Sequence, residues 1–181
     1  MIDRTLIEEC RSGNLQKFGE LVEMTSPFAF SVAFRMLGDE EQAKDAVQET
    51  MIRIWQKMNR IKSPDSYKMW IYKIVLNECY DRLRKRKRKL EIRADEQMWA
   101  MISNHTSSDQ VSEIDYREAA RIIDLLTNKL SPAQKTVFVL GDLEEMSNEE
   151  ISSVTGMSKK NVKANLYHAR KRMNELIKKH I

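Results

Sequence analysis

The chain is poor in the residues that make turn-rich sheets, disulfide frameworks and metal sites. Among 181 residues it has five glycines and three prolines, too few for the connections of a β-sandwich. Cys10 and Cys79 are too few and too far apart in sequence for a disulfide framework or metal cluster, and they fit a reducing compartment. His105, His168 and His180 form no i,i+4 pair and no ligand spacing with cysteines or carboxylates. There is no glycine-rich phosphate loop, no charged-then-apolar leader and no apolar run of membrane-spanning length. The expectation is a soluble, cytoplasmic, non-catalytic protein without cofactor, metal or membrane insertion.

What the chain does have is charge, arranged in blocks. Residues 1–50 carry 5 basic and 10 acidic residues, and residues 51–93 carry 14 and 4. Residues 94–156 carry 4 and 12, and residues 157–181 carry 8 and 1. Two basic segments separated by an acidic one suggest two polyanion contacts in one molecule.

Helix signals fill most of the length. Thr5 with Glu8 reads as a capping box and Gly13 as a stop. Asn14 can cap a helix through Leu15, Phe18, Leu21 and Val22, and Ser26-Pro27 reads as the start of another, ended by Gly38. Asp39 with Gln42 opens the clearest periodicity: Ala43, Ala46, Val47, Thr50, Met51, Ile54, Trp55 and Met58 share one face. Lys44, Asp45, Gln48, Glu49 and Arg53 lie on the other. After a loop from Arg60 to Tyr67, Ser63-Pro64 announces a helix containing Trp70 to Lys89. On it Lys73, Asn77, Tyr80 and Arg84 share a face, while Ile71, Ile74 and Val75 can bury. Seven of the eight residues from Arg82 to Lys89 are Lys or Arg. Such a face suits a phosphate backbone and unstacked bases; a solvated amphipathic helix is the plainer reading of that stretch alone.

Leu90 to Asp115 has weak periodicity and reads as a linker with a helical turn near residues 97–102. Fully extended it could reach roughly 85 Å, against roughly 70 Å for two turns of duplex DNA. A second bundle follows, with helices expected over Tyr116–Lys129, from Ser131-Pro132, and from the capping box Ser147/Glu150. Gly156 breaks the last of these. Ser158 then caps a helix with Val162, Leu166, Ala169, Met173 and Leu176 on its apolar stripe. The layout is helix-turn-helix, whose second helix enters the major groove. Lys159, Lys160, Lys163, Ala164, Tyr167 and Lys171 are left outward, and small Ala164 allows close approach. The fold expected is all-α, with two small helical domains at 1–89 and 116–181 joined by a flexible linker at 90–115.

Together these motifs resemble the bacterial RNA polymerase sigma factors of the sigma-70 family, in the extracytoplasmic-function (ECF) group. Asp45-Ala46-Val47-Gln48-Glu49-Thr50 followed by Trp55 resembles the region 2 core-binding signature. Trp70-Ile71-Tyr72-Lys73-Ile74 through Asn77 resembles the promoter-melting and −10-reading helix. Leu130-Ser131-Pro132-Ala133-Gln134, Ser147-x-x-Glu150-Ile151, Gly156-x-Ser158 and Val162-Lys163 resemble region 4. The resemblance implies that core RNA polymerase docks at Asp45, Gln48, Glu49 and Arg53. It implies −10 promoter contacts at Lys62, Ser63, Tyr67, Trp70, Lys73, Asn77, Tyr80 and Arg84, the loop Arg60–Tyr67 holding a flipped base. For the −35 element it implies Lys159, Lys160, Lys163, Ala164, Tyr167, His168 and Lys171. Anti-sigma factors are common partners in the family, and a monomer is expected when the chain is free.

The sequence departs from the family pattern at four places. Asn165 and His168 stand where many relatives carry Arg, Glu145 where Gly is common, and Met51 where Phe is frequent. The alternative from another class is a helix-turn-helix regulator whose N-terminal bundle senses a ligand or partner. An enzyme acting on nucleic acid lacks a metal-binding or acid–base set.

Overall fold

The structure is a computed structural model, described over residues 2–61, 63–97 and 126–180. Helices α1 (Arg4–Arg11), α2 (Leu15–Leu37), α3 (Glu40–Gln56) and α4 (Pro64–Gln97) form the first bundle, with a 3-10 turn at Met58–Arg60. Helix α5 (Pro132–Phe138), a π-turn (Val139–Leu143), α6 (Asn148–Thr155) and α7 (Lys159–His180) form the second. No strand occurs among the described residues, so the all-α expectation holds.

The caps explain most boundaries. Asn14 accepts from the amides of Gln16 and Lys17, and Asp39 from that of Gln42. Both Ser131/Gln134 and Ser147/Glu150 close complete capping boxes, each cap being worth roughly 1 kcal/mol. Gly38 (φ 66°) and Gly156 (φ 75°) end their helices in the left-handed region that glycine enters without a Cβ clash.

Four expectations need correction. The first helix is capped by Asp3, whose carboxylate accepts from the Leu6 amide, rather than by a Thr5/Glu8 box. Helix α2 does not restart at Ser26-Pro27 but continues through Pro27 without a break. A mid-helix proline costs about 3 kcal/mol or more in lost backbone bonding. Here the Thr25 and Ser26 hydroxyls donate to the Leu21 and Val22 carbonyls at 2.6 and 2.8 Å, engaging the preceding turn. Leu21, Thr25, Ala29, Val32 and Ala33 are completely buried on either side of Pro27, so tertiary packing favours one continuous helix. Helix α4 continues past Lys89 to Gln97, beyond the expected domain limit. Leu15, placed on an apolar stripe from its spacing, is 70% exposed. Lys62, the linker beyond Gln97 and most of the Tyr116–Lys129 helix lie outside the described residues.

The first core follows the predicted stripe of α3: Ala43, Ala46, Val47, Thr50, Met51, Ile54 and Met58 are buried, with Trp55 half-buried against Phe18. From α4 it takes Ile71, Ile74, Val75 and Cys79. The apolar cluster does not stop at the bundle's edge. It continues into Val137, Val139, Leu140, Met146, Ile151 and Val154 of the second bundle, so the two bundles sit against each other. Gly141 allows this close fit inside the second bundle. A Cβ there would lie 3.3 Å from Ile151 Cδ1 and 3.4 Å from Leu166 Cδ1. At the exit of the π-turn, Glu145 holds a left-handed φ of 54°, at the position where the family pattern commonly has glycine.

Candidate nucleic-acid interface

Helix α7 presents the simpler of two basic faces. Val162, Leu166, Ala169, Met173 and Leu176 are buried at four-three spacing, which turns Lys159, Lys160, Lys163, Ala164, Tyr167, His168 and Lys171 outward, all exposed. Tyr167 and His168 meet edge-on at 5.4 Å between ring centroids. Arg170 is paired: its Nε lies 3.0 and 3.1 Å from the two Asp142 carboxylate oxygens, joining α7 to the π-turn. Lys159 pairs with Glu149 across the turn at 2.8 Å, and this hydrogen bond draws the Glu149 carboxyl below its ordinary value. Beyond the residues expected from sequence, Asn174 and Lys178 extend the face along a shallow hollow shared with Tyr167 and Lys171. Their continuation of the i, i+3, i+4, i+7 pattern was the available signal.

Helix α4 is harder to read because both of its sides are occupied. Lys73, Asn77 and Arg84 are exposed as expected. Tyr80, on the same face, is half-buried, and its hydroxyl lies 2.7 Å from Thr136 Oγ1 of α5. Trp70 is half-buried against the core. Ser63 and Ser66 hydrogen-bond each other around the α4 start, Ser63 Oγ accepting from the Ser66 amide. Tyr67 requires correction as a surface contact: it is 1% exposed, and its hydroxyl lies 3.0 Å from Thr25 Oγ1 inside the first bundle. Burial pushes its phenol well above the ordinary value. A side chain so placed shapes the loop from beneath and has no surface to offer a base.

The outward face of α3 carries exposed Asp45 and Gln48 with half-exposed Glu49 and Arg53. Ile52, 43% exposed, adds an apolar group beside Gln48 and Glu49, one the sequence reading missed. This face is tied to α4. Arg53 Nε lies 2.7 Å from Glu78 Oε1 and 3.7 Å from Glu49. Arg82 reaches Gln42 at 3.3 Å and Asp45 at 3.6 Å. Glu78 is 4% exposed, and desolvation raises its carboxyl above the ordinary value even with Arg53 beside it. Ion pairs therefore cross the cleft between the α3 face and the root of the basic run. No group of potential metal ligands occurs among the described residues, and none of their helices is long and apolar enough to cross a membrane.

Comparison with known proteins gives both bundles a family. The sigma-70 region 2 model matches residues 21–89, and the sigma-70 region 4 model matches residues 120–173. Together they cover about two thirds of the chain, in family order.

The chain belongs to the sigma-70 family, in its ECF group.

Among its relatives, the ECF RNA polymerase sigma factor SigW of Bacillus subtilis is 24% identical over 98% of both chains. The RNA polymerase sigma factor CnrH of Cupriavidus metallidurans is 28% identical, covering 97% of this chain and 94% of that protein. The structure of CnrH in complex with the cytosolic domain of CnrY matches with a TM-score of 0.69 at 25% identity, over 97% of each chain. The sigma factor RpoE of Bartonella quintana, solved with the anti-sigma factor NepR, shares the fold at 21% identity and a TM-score of 0.72, over 90% of this chain and 98% of that one.

Proposed function

We propose that this ECF-group protein is an RNA polymerase sigma factor that docks on core polymerase and reads the −35 and −10 promoter elements. The reading also has it help open the −10 region. The observation that carries the proposal is the pair of basic faces on α4 and α7, one in each family-matched bundle. On this reading Asp45, Gln48, Glu49 and Arg53 meet polymerase. Lys159, Lys160, Lys163, Ala164, Tyr167, His168 and Lys171 line the −35 site. Lys73, Asn77 and Arg84, with Tyr80 and Trp70 at the edges, meet −10 DNA as it opens, and Lys62 and Ser63 border the flipped-base loop. Tyr67 supports that loop from within.

The chain's own chemistry suits binding rather than bond-making. Lysines at the start of α7 can reach a guanine edge or a phosphate. Exposed cations and an aromatic on α4 can hold a separated strand by charge and stacking. Polymerase supplies the catalysis, so the protein is no enzyme, and its place is the cytoplasm beside the chromosome. An anti-sigma partner fits the same reading.

Transcription from fragmented genomic DNA with purified core polymerase is the direct test. Added protein should yield initiation at discrete sites that core alone does not use; initiation no different from core alone overturns the proposal. The rival, a polymerase-independent helix-turn-helix regulator, predicts tight duplex binding by the isolated chain and no retention on immobilised core.

A further inference from the structure

The first turn of α6 carries two adjacent glutamates, Glu149 and Glu150, and the fold uses them differently. Glu150 closes the capping box, its carboxylate accepting from the Ser147 amide and hydroxyl, both at 2.8 Å. Glu149 takes no part in that box. Its carboxylate instead reaches across the glycine turn to Lys159 Nζ at 2.8 Å, with the lysine and glutamate side chains 61% and 63% exposed. The hydrogen bond from Lys159, with a smaller contribution from the Lys163 charge, keeps this carboxyl below its ordinary value and so anionic at neutral pH. Lys160, Lys163 and Lys171 make no ion pair among the described residues. Of the proposed −35 lysines, Lys159 therefore stands apart in having its charge countered within the protein.

We propose that Glu149 is a positioning residue of the −35 site, a counter-charge that holds Lys159 and competes with a DNA phosphate for it. The inference rests on the proposed −35 role of α7. In a helix-turn-helix the first helix crosses the DNA backbone while the second enters the groove, so the start of α6 lies where phosphates pass. A bare helix start favours an anion; a carboxylate placed there does the opposite. Because the Glu149–Lys159 pair is exposed, a phosphate can exchange with it without opening any core. A lysine that fully neutralises a phosphate releases its counterion, whereas Lys159, shared between carboxylate and phosphate, releases less than one. Glu149 thus trims the sequence-independent part of duplex affinity. A larger share of what remains comes from contacts with base edges.

The experiment uses the full-length chain and two labelled duplexes, titrated over a range of salt. One carries the −35 region of an initiation site mapped with core polymerase; the other is a scrambled duplex of equal length. Glu149→Gln should bind both about threefold tighter, the scale set by one exposed ion pair. It should also steepen the slope of log affinity against log salt by roughly 0.5–0.9, close to one further phosphate contact. Lys159→Ala should weaken binding more in the Glu149→Gln background than in the wild type. Lys171→Ala should cost the same in both, since it lies about 18 Å further along α7, beyond the screening length of about 10 Å at 0.1 M salt. The Glu150 cap is untouched, so the helical signal should match wild type. Unchanged affinity and salt slope in Glu149→Gln, or equal costs of Lys159→Ala in the two backgrounds, would overturn the counter-charge. Weaker binding of the −35 duplex alone would overturn it as well, marking Glu149 as an acceptor for a base edge. If the wild-type chain does not prefer the −35 duplex to the scrambled one, the −35 reading of α7 fails instead. The salt slope and the paired variants on the scrambled duplex then still decide the role of Glu149.

Discussion

Helices α4 and α7 are both long and basic, and both carry a proposed promoter face, yet only α7 announces its outward side. It buries a single stripe at four-three spacing and leaves the rest to water, so period alone separates its inside from its outside. Helix α4 is gripped from two directions. Ile71, Val75 and Cys79 face the first core, Tyr72 and Leu76 are buried as well, and Tyr80 and Leu83 pack against the shared cluster. A helix buried on more than one side loses the one-sided pattern from which a free face is read. The lesson is that a second partner surface hides a binding face in the sequence and in space at once.

Replacing Tyr67 tests the largest difference between the two helices, since this residue looks like a surface contact in sequence and is buried in the fold. Tyr67→Ala should lower stability by about 3–5 kcal/mol, as for other large buried side chains. Tyr67→Phe, losing only the Thr25 contact, should cost about 1 kcal/mol. Denaturant melts measure both. Unchanged stability with lost promoter opening would move Tyr67 back to the DNA surface.

On α7, Lys163→Ala should weaken −35 duplex binding by about 1–3 kcal/mol and relax specificity at one base pair if Lys163 reads a base. A uniform loss with a shallower salt dependence would instead mark a phosphate contact. The loss should already be visible with the isolated protein because the face is open. Arg84→Ala, by contrast, should reduce −10 strand binding chiefly in the polymerase complex.

Removing Asp45 and Glu49 together should weaken core polymerase binding by up to about thirtyfold, the sum expected of two rim charges each worth up to roughly 1 kcal/mol. Thermal melting should shift little. Unaltered affinity for core would remove α3 from the docking surface and leave the comparison to the two DNA helices alone.

The smallest effect concerns Glu78, beneath the basic run. Its carboxyl is raised by burial above the ordinary 4.5, so the folded chain takes up this proton before the unfolded chain does. That contribution to stability grows as pH falls from neutrality and is lost again as pH rises through the raised value. Glu78→Gln should therefore be at least as stable as wild type at pH 7, and the difference should shrink toward pH 4.5. Melting both proteins side by side from pH 7 to 4.5 checks the sign; a widening gap would mean Arg53 outweighs desolvation.

Much of the architecture was legible because it is local. Asn14, Asp39, Ser131 and Ser147 cap where their spacing says they should, and the stripes of α3 and α7 bury as their periods require. Pro27 misled because tertiary burial on both sides outweighs a local breaker. Asp3 was passed over because its carboxylate competes with Thr5 for the same role, and only geometry shows which reaches an amide. The core-facing position of Tyr67 depends on Thr25, forty-two residues away, and the grip of Glu144 on the first bundle depends on three donors, Arg35, Ser31 and Tyr72, on two other helices. Long-range contacts of that kind leave no period in a sequence. On α7 the outward face was readable nearly in full, and on α4 only where no second bundle touches it.

Glu145 follows directly after the carboxylate that joins the bundles, with its backbone in the left-handed region. That conformation costs a non-glycine residue roughly 1–2 kcal/mol. Any glutamate codon becomes a glycine codon by a single nucleotide change, so relief of this strain is one mutation away, at an exposed position that belongs to neither proposed DNA face. Natural variation and protein engineers alike thus have a dial beside Glu144 that alters how firmly the chain folds around it without editing a single residue that reads a promoter.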